Sequence, residues 1–287
     1  MKLRFVWLAL PVLLGGCKDD PEPVPAYIRL EPFVVNENGG AGWQKITEGW
    51  LYVDNQLIGG YTLPATVPVL AEGESPILVF PGVKANGLKD SPEVYPFMVR
   101  YETSVNLAAN QNTTIQPVTK YSADAKFPWS ADKSSFNNTS VVLENRDQDT
   151  ANTFVLTTDG AFDGQSVKLA VDTAHALMEI VTEQLTGLPA SNAQPVWLEM
   201  NYKNDLPFEL WLLGARDNTN ELARAVYQFN TSNEWNKIYI NLTDYLISLQ
   251  QDKYRLYFRV LLTKDATGKY VQNNGTVLFD NLRLVHF

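Results

Sequence analysis

The chain has 287 residues with 23 basic and 32 acidic side chains, a net charge of −9. An acidic chain without a basic stripe is a poor partner for nucleic acid. One cysteine excludes an intramolecular disulfide and two separated histidines argue against a zinc site, while 45% hydrophobic content with 11% aromatics is ample for a packed core.

Residues 1–16 read as a segment that is removed. Lys2 and Arg4 precede the apolar stretch Phe5 to Leu14, which is too short to span a membrane. Leu14-Gly15-Gly16-Cys17 follows, and it resembles the lipobox of bacterial lipoproteins. The resemblance implies that Cys17 is diacylated and becomes the first mature residue, so that acyl chains anchor the protein. Loss of Lys2 and Arg4 takes the net charge from −9 to −11. Lys18-Asp19-Asp20 after the cysteine resembles the acidic export signal of surface lipoproteins in Bacteroidetes-type bacteria, which implies an outer-membrane, cell-surface address. Pro21-Glu22-Pro23-Val24-Pro25 completes an extended tether over residues 17–25.

From Ala26 the pattern is β throughout, with short runs of Val, Ile, Tyr, Phe and Trp between Asn, Asp, Gly and Pro clusters. The fold class is therefore all-β, with two β-sandwich modules at 26–121 and 127–287. In the first, Gly49 to Gly60 reads as strand, turn, strand: Asp54-Asn55 supplies the turn, and Gly59 and Gly60 allow positive φ. Leu63-Pro64-Ala65, the Glu72-Gly73-Glu74 turn and the strand Pro76 to Phe80 come next. This order, from Gly49 to Val83, resembles the PEGA domain, a small β-sandwich of bacterial envelope proteins. Ser75 stands where that family usually has a histidine. The resemblance implies a structural or interaction role.

Ser122 to Lys126 is small and polar and marks the module boundary. Beyond it, Val167–Asp172, Val196–Tyr202, Phe208–Leu213, Ile238–Leu242 and Tyr254–Leu262 alternate, and the chain ends on Val277 to Leu284. One short helix is predicted, Leu242 to Gln250, capped by Thr243 or Asp244. Trp235 to Leu242, a further strand and the closing Phe-Asp-Asn-Leu-Arg-Leu resemble galactose-binding-like jelly rolls, which include many carbohydrate-binding modules. That resemblance implies a jelly-roll sandwich. It also implies a structural calcium near the first and last strands, for which Glu144 and Asp280 are the matching oxygen donors, but the preferred reading is no cofactor, with Asp280 a strand-end hydrogen-bond acceptor and Glu144 solvated.

Alternation places a second set of side chains opposite the core on each strand. Trp197, Glu199 and Asn201, then Glu209 and Trp211, then Tyr239, then Arg255, Tyr257 and Arg259 are expected to share one sheet face. Flat aromatics among carboxylates, amides and guanidinium groups suit sugar rings and their hydroxyls, and the same types are enriched at protein interfaces. A glycan binder should leave Trp197 and Trp211 open, and a scaffold should bury them. His175 and His286 serve no nucleophile elbow, so the expectation is not an enzyme. The leading reading is a non-catalytic, lipid-anchored surface protein that contacts other outer-membrane proteins. The alternative is glycan capture, and a glycoside hydrolase would need two facing carboxylates.

Overall fold

A computed structural model describes residues 22–36, 43–129, 136, 142–191, 193–216 and 220–287. The signal segment 1–16, Cys17, and Lys18, Asp19 and Asp20 lie outside the described residues. The first ten strands are β1 (Ala26–Leu30), β2 (Val34–Val35), β3 (Glu48–Val53), β4 (Gln56–Thr62), β5 (Ala65–Val69), β6 (Gly73–Lys84), β7 (Pro92–Val94), β8 (Tyr101–Leu107), β9 (Asn112–Ile115) and β10 (Val118–Thr119). A sheet β5-β1-β9 faces a sheet β4-β3-β6-β7, in which β8 also pairs with β6. Ile28, Leu30, Leu51, Val53, Val67, Ile77 and Val79 fill the space between them.

Asp54 and Asn55 both take positive φ and close β3 onto β4 in two residues, as a right-twisted hairpin prefers. Gly59 and Gly60 are different from the expectation, because neither has positive φ. Their service is space. A Cβ on Gly60 would stand 2.9 Å from the Trp50 ring, and one on Gly82 would stand 2.2 Å from it.

The remaining strands are β11 (Leu143–Asn145), β12 (Val155–Thr157), β13 (Ser166–Asp172), β14 (Leu177–Thr182), β15 (Leu185–Thr186), β16 (Val196–Asn204), β17 (Phe208–Ala215), β18 (Leu222–Phe229), β19 (Ser232–Asn241), β20 (Lys253–Leu261) and β21 (Asn274–His286). The inner sheet runs β12-β13-β21-β16-β19 and the outer sheet β11-β14-β20-β17-β18, with β15 also on β20. The chain switches sheet at most connections. Sheets β13-β21-β16-β19 and β14-β20-β17-β18 give the eight-stranded jelly-roll order. The alternating apolar sets meet between these sheets as predicted: Val196, Leu198, Met200, Phe208, Leu210, Leu212, Ile238, Ile240, Leu256, Phe258 and Val260 are all core.

The helix α1 (Thr243–Leu249) links β19 to β20. Neither Thr243 nor Asp244 caps it, since both fall inside its first turn. Asn241 Oδ1 instead accepts from the Thr243 N–H at 3.0 Å, and Thr243 Oγ1 accepts from the Val196 N–H at 3.1 Å. Among the described residues no helix is long and apolar enough to cross a membrane.

Candidate functional site

The predicted single face divides between two sheets. Trp197, Glu199 and Asn201 on β16 and Tyr239 on β19 belong to the inner sheet, whereas Glu209 and Trp211 on β17 and Arg255, Tyr257 and Arg259 on β20 belong to the outer sheet. Alternation gives the side of a strand but not its sheet, and β16 and β17 are consecutive strands on opposite sides of the core.

The inner set is covered by the first sandwich. Trp197 is 2% exposed and packs edge-on to Tyr95 at 5.5 Å, while Tyr239 meets the same Tyr95 at 5.0 Å. Ile46, Val83, Phe97 and Met98 join these rings in one apolar cluster. The cluster surrounds a buried carboxylate. Glu199 Oε1 accepts from the hydroxyls of Tyr95 and Tyr121, and its Oε2 lies 3.1 Å from Lys237 Nζ. Gln44 links the Tyr121 and Tyr239 hydroxyls at 2.7 and 2.8 Å. Burial works to raise Glu199, but Lys237, Arg283 and the two hydroxyls outweigh it and hold the carboxyl below the usual range. Burial and the Glu199 charge push Tyr95 and Tyr121 well above the usual phenol value, so both remain donors. Backbone pairing adds to the joint: the Asn86 N–H donates to Tyr239 O at 2.8 Å, and the Lys126 N–H to His286 O at 2.7 Å. Asn201 is also buried, where it accepts from the Asn281 amide at 3.2 Å.

The outer set faces away from both cores. Trp211 and Tyr257 stand directly opposite each other on β17 and β20, with ring centroids 6.4 Å apart. Tyr257 is the deeper of the two, buried with Val181 and Leu213, and the Arg146 guanidinium lies 5.6 Å over its ring. Trp211 remains partly exposed. Its indole N–H donates to Glu209 Oε2 at 2.9 Å, which fixes the ring plane. On β18 its register partner is Ala225, too small to cover it. A groove of about 190 Å³ results, lined by Glu209, Trp211, Ala225, Tyr227 and Gln228 among others. Arg259 sits between two carboxylates, 3.3 Å from Glu179 and 3.4 Å from Glu209. The Tyr257 hydroxyl donates to Glu179, and burial followed by that bond raises its pKa, so it too stays protonated.

The two proposed calcium donors do not meet. Glu144 lies on β11 at the edge of the outer sheet and pairs with Arg255 at 2.8 Å. Asp280 lies on β21 inside the inner sheet, fully buried, where it accepts from Ser166 Oγ at 2.8 Å and the Asn281 N–H at 2.7 Å. Burial pushes its carboxyl up to about 7. Among the described residues no cluster of three or more Cys, His, Asp or Glu is placed to hold a metal ion.

No protein-family model and no curated protein matches the chain. Solved structures do. The chain is similar to the enzymatically active domain of tailspike protein 4 from bacteriophage CBA120, at 12% identity and a TM-score of 0.40 over 62% of this chain. It spans only 25% of that domain. It is also similar to the family 11 carbohydrate-binding module of a Clostridium thermocellum cellulosomal cellulase, at 11% identity and a TM-score of 0.37, covering 57% of this chain and 95% of that one. A third similarity is to a family 61 module in complex with β-1,4-galactotriose, at 13% identity and a TM-score of 0.31, covering 53% and 91%.

The lining of the groove holds positions that sequence reading missed. Ala225, Tyr227 and Gln228 come from β18, whose Leu-Ala-Arg-Ala-Val-Tyr-Gln-Phe sequence is exposed over most of its length and carries a weak alternation. The signal was its length and its β-branched and aromatic end.

Proposed function

We propose that this protein is a non-catalytic, lipid-anchored surface protein that captures glycan on the outer sheet of its jelly roll, with Trp211 as the stacking residue. The observation that carries the reading is the setting of Trp211. A partly exposed ring is locked by Glu209 and backed by Tyr257, and it borders a groove where Glu209 and Gln228 offer an acceptor and an amide. A flat apolar face with a few fixed polar groups is what a sugar ring requires. Rigidity matters because the ordering cost is met before the ligand arrives.

The first sandwich, PEGA-like in its turn order, serves as the mount, and Cys17 with the acidic Lys18-Asp19-Asp20 segment tethers it to the outer membrane. Burial of Trp197 and Tyr239 supports the mounting role, since it makes the two sandwiches one unit. Glu179 and Glu209 lie along one sheet surface and share Arg259, so this pair is not set out as a glycosidase acid and base. A protein-contact role draws on one separate feature, the exposed Leu57 and Ile58 on edge strand β4.

The test is a glycan array and affinity gel comparing the wild-type protein with Trp211→Ala. Loss of a defined glycan signal in a folded variant supports capture at this face. Absence of any glycan signal in the wild type removes the reading, and crosslinking in the native membrane then becomes the route to a protein partner.

A further inference from the structure

Beyond Trp211 the outer sheet descends into a second, larger cleft of about 430 Å³. Among the described residues its lining includes Arg146, Arg216, Lys253 and Arg255 with the carboxylate Glu221, and Glu144 pairs with Arg255 beside it. Four of the 23 basic residues of an acidic protein thus converge on one depression. Charge of the opposite sign to the whole chain, gathered in a concave site, focuses anions locally.

The cleft is continuous with the aromatic site. Leu213 lines it and packs with Tyr257 and Trp211, and Arg146 both lines it and covers the Tyr257 ring. Along β17, Leu213 is four residues from Glu209, about 14 Å at strand rise. A polymer lying on Trp211 therefore reaches the basic cleft without leaving the sheet.

The existing ion pairs leave room for a ligand. Arg146 Nη1 holds Glu221 at 2.7 Å with side chains 38% and 34% exposed, and Arg255 Nη1 holds Glu144 at 2.8 Å with side chains 27% and 50% exposed. Pairs this open to water contribute little stability and exchange readily. Each guanidinium carries five N–H donors in a planar fork that fits a carboxylate or sulfate in two bonds.

We infer that the glycan taken by this protein is anionic, with a carboxylate or sulfate ester of the sugar chain held by Arg146, Arg255 and Lys253 while a ring stacks on Trp211. This inference rests on the glycan reading above and names its substrate class.

The experiment uses matched polymer pairs with the purified full chain in affinity gels and calorimetry. Polygalacturonate is compared with its methyl ester, which removes the carboxylate charge. Dextran sulfate is compared with dextran, which isolates sulfate. The expected result is that one charged polymer binds about tenfold or more tighter than its neutral partner, as charge-assisted bonds provide. That preference should shrink as salt rises, and Lys253→Gln with Arg255→Gln should abolish it at an unchanged melting temperature. Arg255→Lys separates charge from shape, and a loss of binding there still supports the cleft because the fork is gone. Equal binding to charged and neutral partners, lost in Trp211→Ala, overturns the anionic inference and leaves glycan capture standing. An anion preference untouched by the Lys253 and Arg255 changes also overturns it. Absence of binding to all four polymers and to the glycan array removes both.

Discussion

The Tyr121 hydroxyl donates to Glu199 Oε1 at 2.5 Å across the boundary between the two sandwiches. Tyr95 donates to the same oxygen, and Lys237 holds the other. One carboxylate on β16 thus joins two residues of the first sandwich to a cation of the second. Glu199 and Lys237 are both buried, so leaving either without its partner is costly.

Glu199→Ala is therefore expected to destabilise the protein by about 3–5 kcal/mol, because Lys237 is left buried without its counter-charge. Glu199→Leu combined with Lys237→Met should recover much of that loss, since the paired desolvation cost disappears with both charges. Chemical denaturation of the single and double variants checks this. Additive losses would mean that the pair does not act as a unit.

Trp197 and Trp211 should separate cleanly. Trp197→Ala opens a cavity between the sandwiches and is expected to cost about 3–5 kcal/mol. Trp211→Ala removes a partly exposed ring and should cost much less while removing ligand binding. Melting curves and glycan binding on the two variants distinguish a joint residue from a contact residue.

Gly82→Ala is expected to destabilise the first sandwich by about 1–3 kcal/mol, as the new Cβ would overlap the Trp50 ring. Adding Trp50→Leu should return part of it. A Gly82→Ala protein with unchanged stability would show that Trp50 moves aside freely.

Asp280 gives a pH prediction. Its folded pKa is about 7 against about 4 for an ordinary aspartate. Between those values the unfolded chain releases the proton while the folded chain keeps it. The group's contribution to stability therefore falls as pH rises through about 4 to 7, and is flat above and below. Asp280→Asn cannot ionise and should lose that decline, so its denaturation midpoint gains on wild type as pH rises from about 4 to about 7. Parallel midpoints across the window would contradict the assignment.

Much of this architecture is legible in the order of the residues. The alternation of Val196, Leu198 and Met200, of Phe208, Leu210 and Leu212, and of Leu256, Phe258 and Val260 gives the core side of three strands correctly. It does not say that β16 and β17 lie on opposite sheets, because a period of two is the same wherever the strand is placed. Trp197 and Trp211 have near-identical sequence settings for that reason, and one is sealed by the first sandwich while the other is not. Gly59 and Gly60 show the same limit. A glycine records that a side chain would not fit there, and only the fold shows that the obstacle is Tyr61 at Gly59 and Trp50 at Gly60. Glu144 and Asp280 sit near the first and last strands as the jelly-roll resemblance requires, but sheet assignment keeps them apart.

The most direct test of glycan capture at Trp211 is affinity electrophoresis of wild type and Trp211→Ala in gels containing each polymer that scores on the array. Retardation of the wild type and free migration of the variant are expected, with matching melting temperatures. Equal retardation of both proteins would contradict the site, and migration of the wild type unretarded by every polymer would contradict the function.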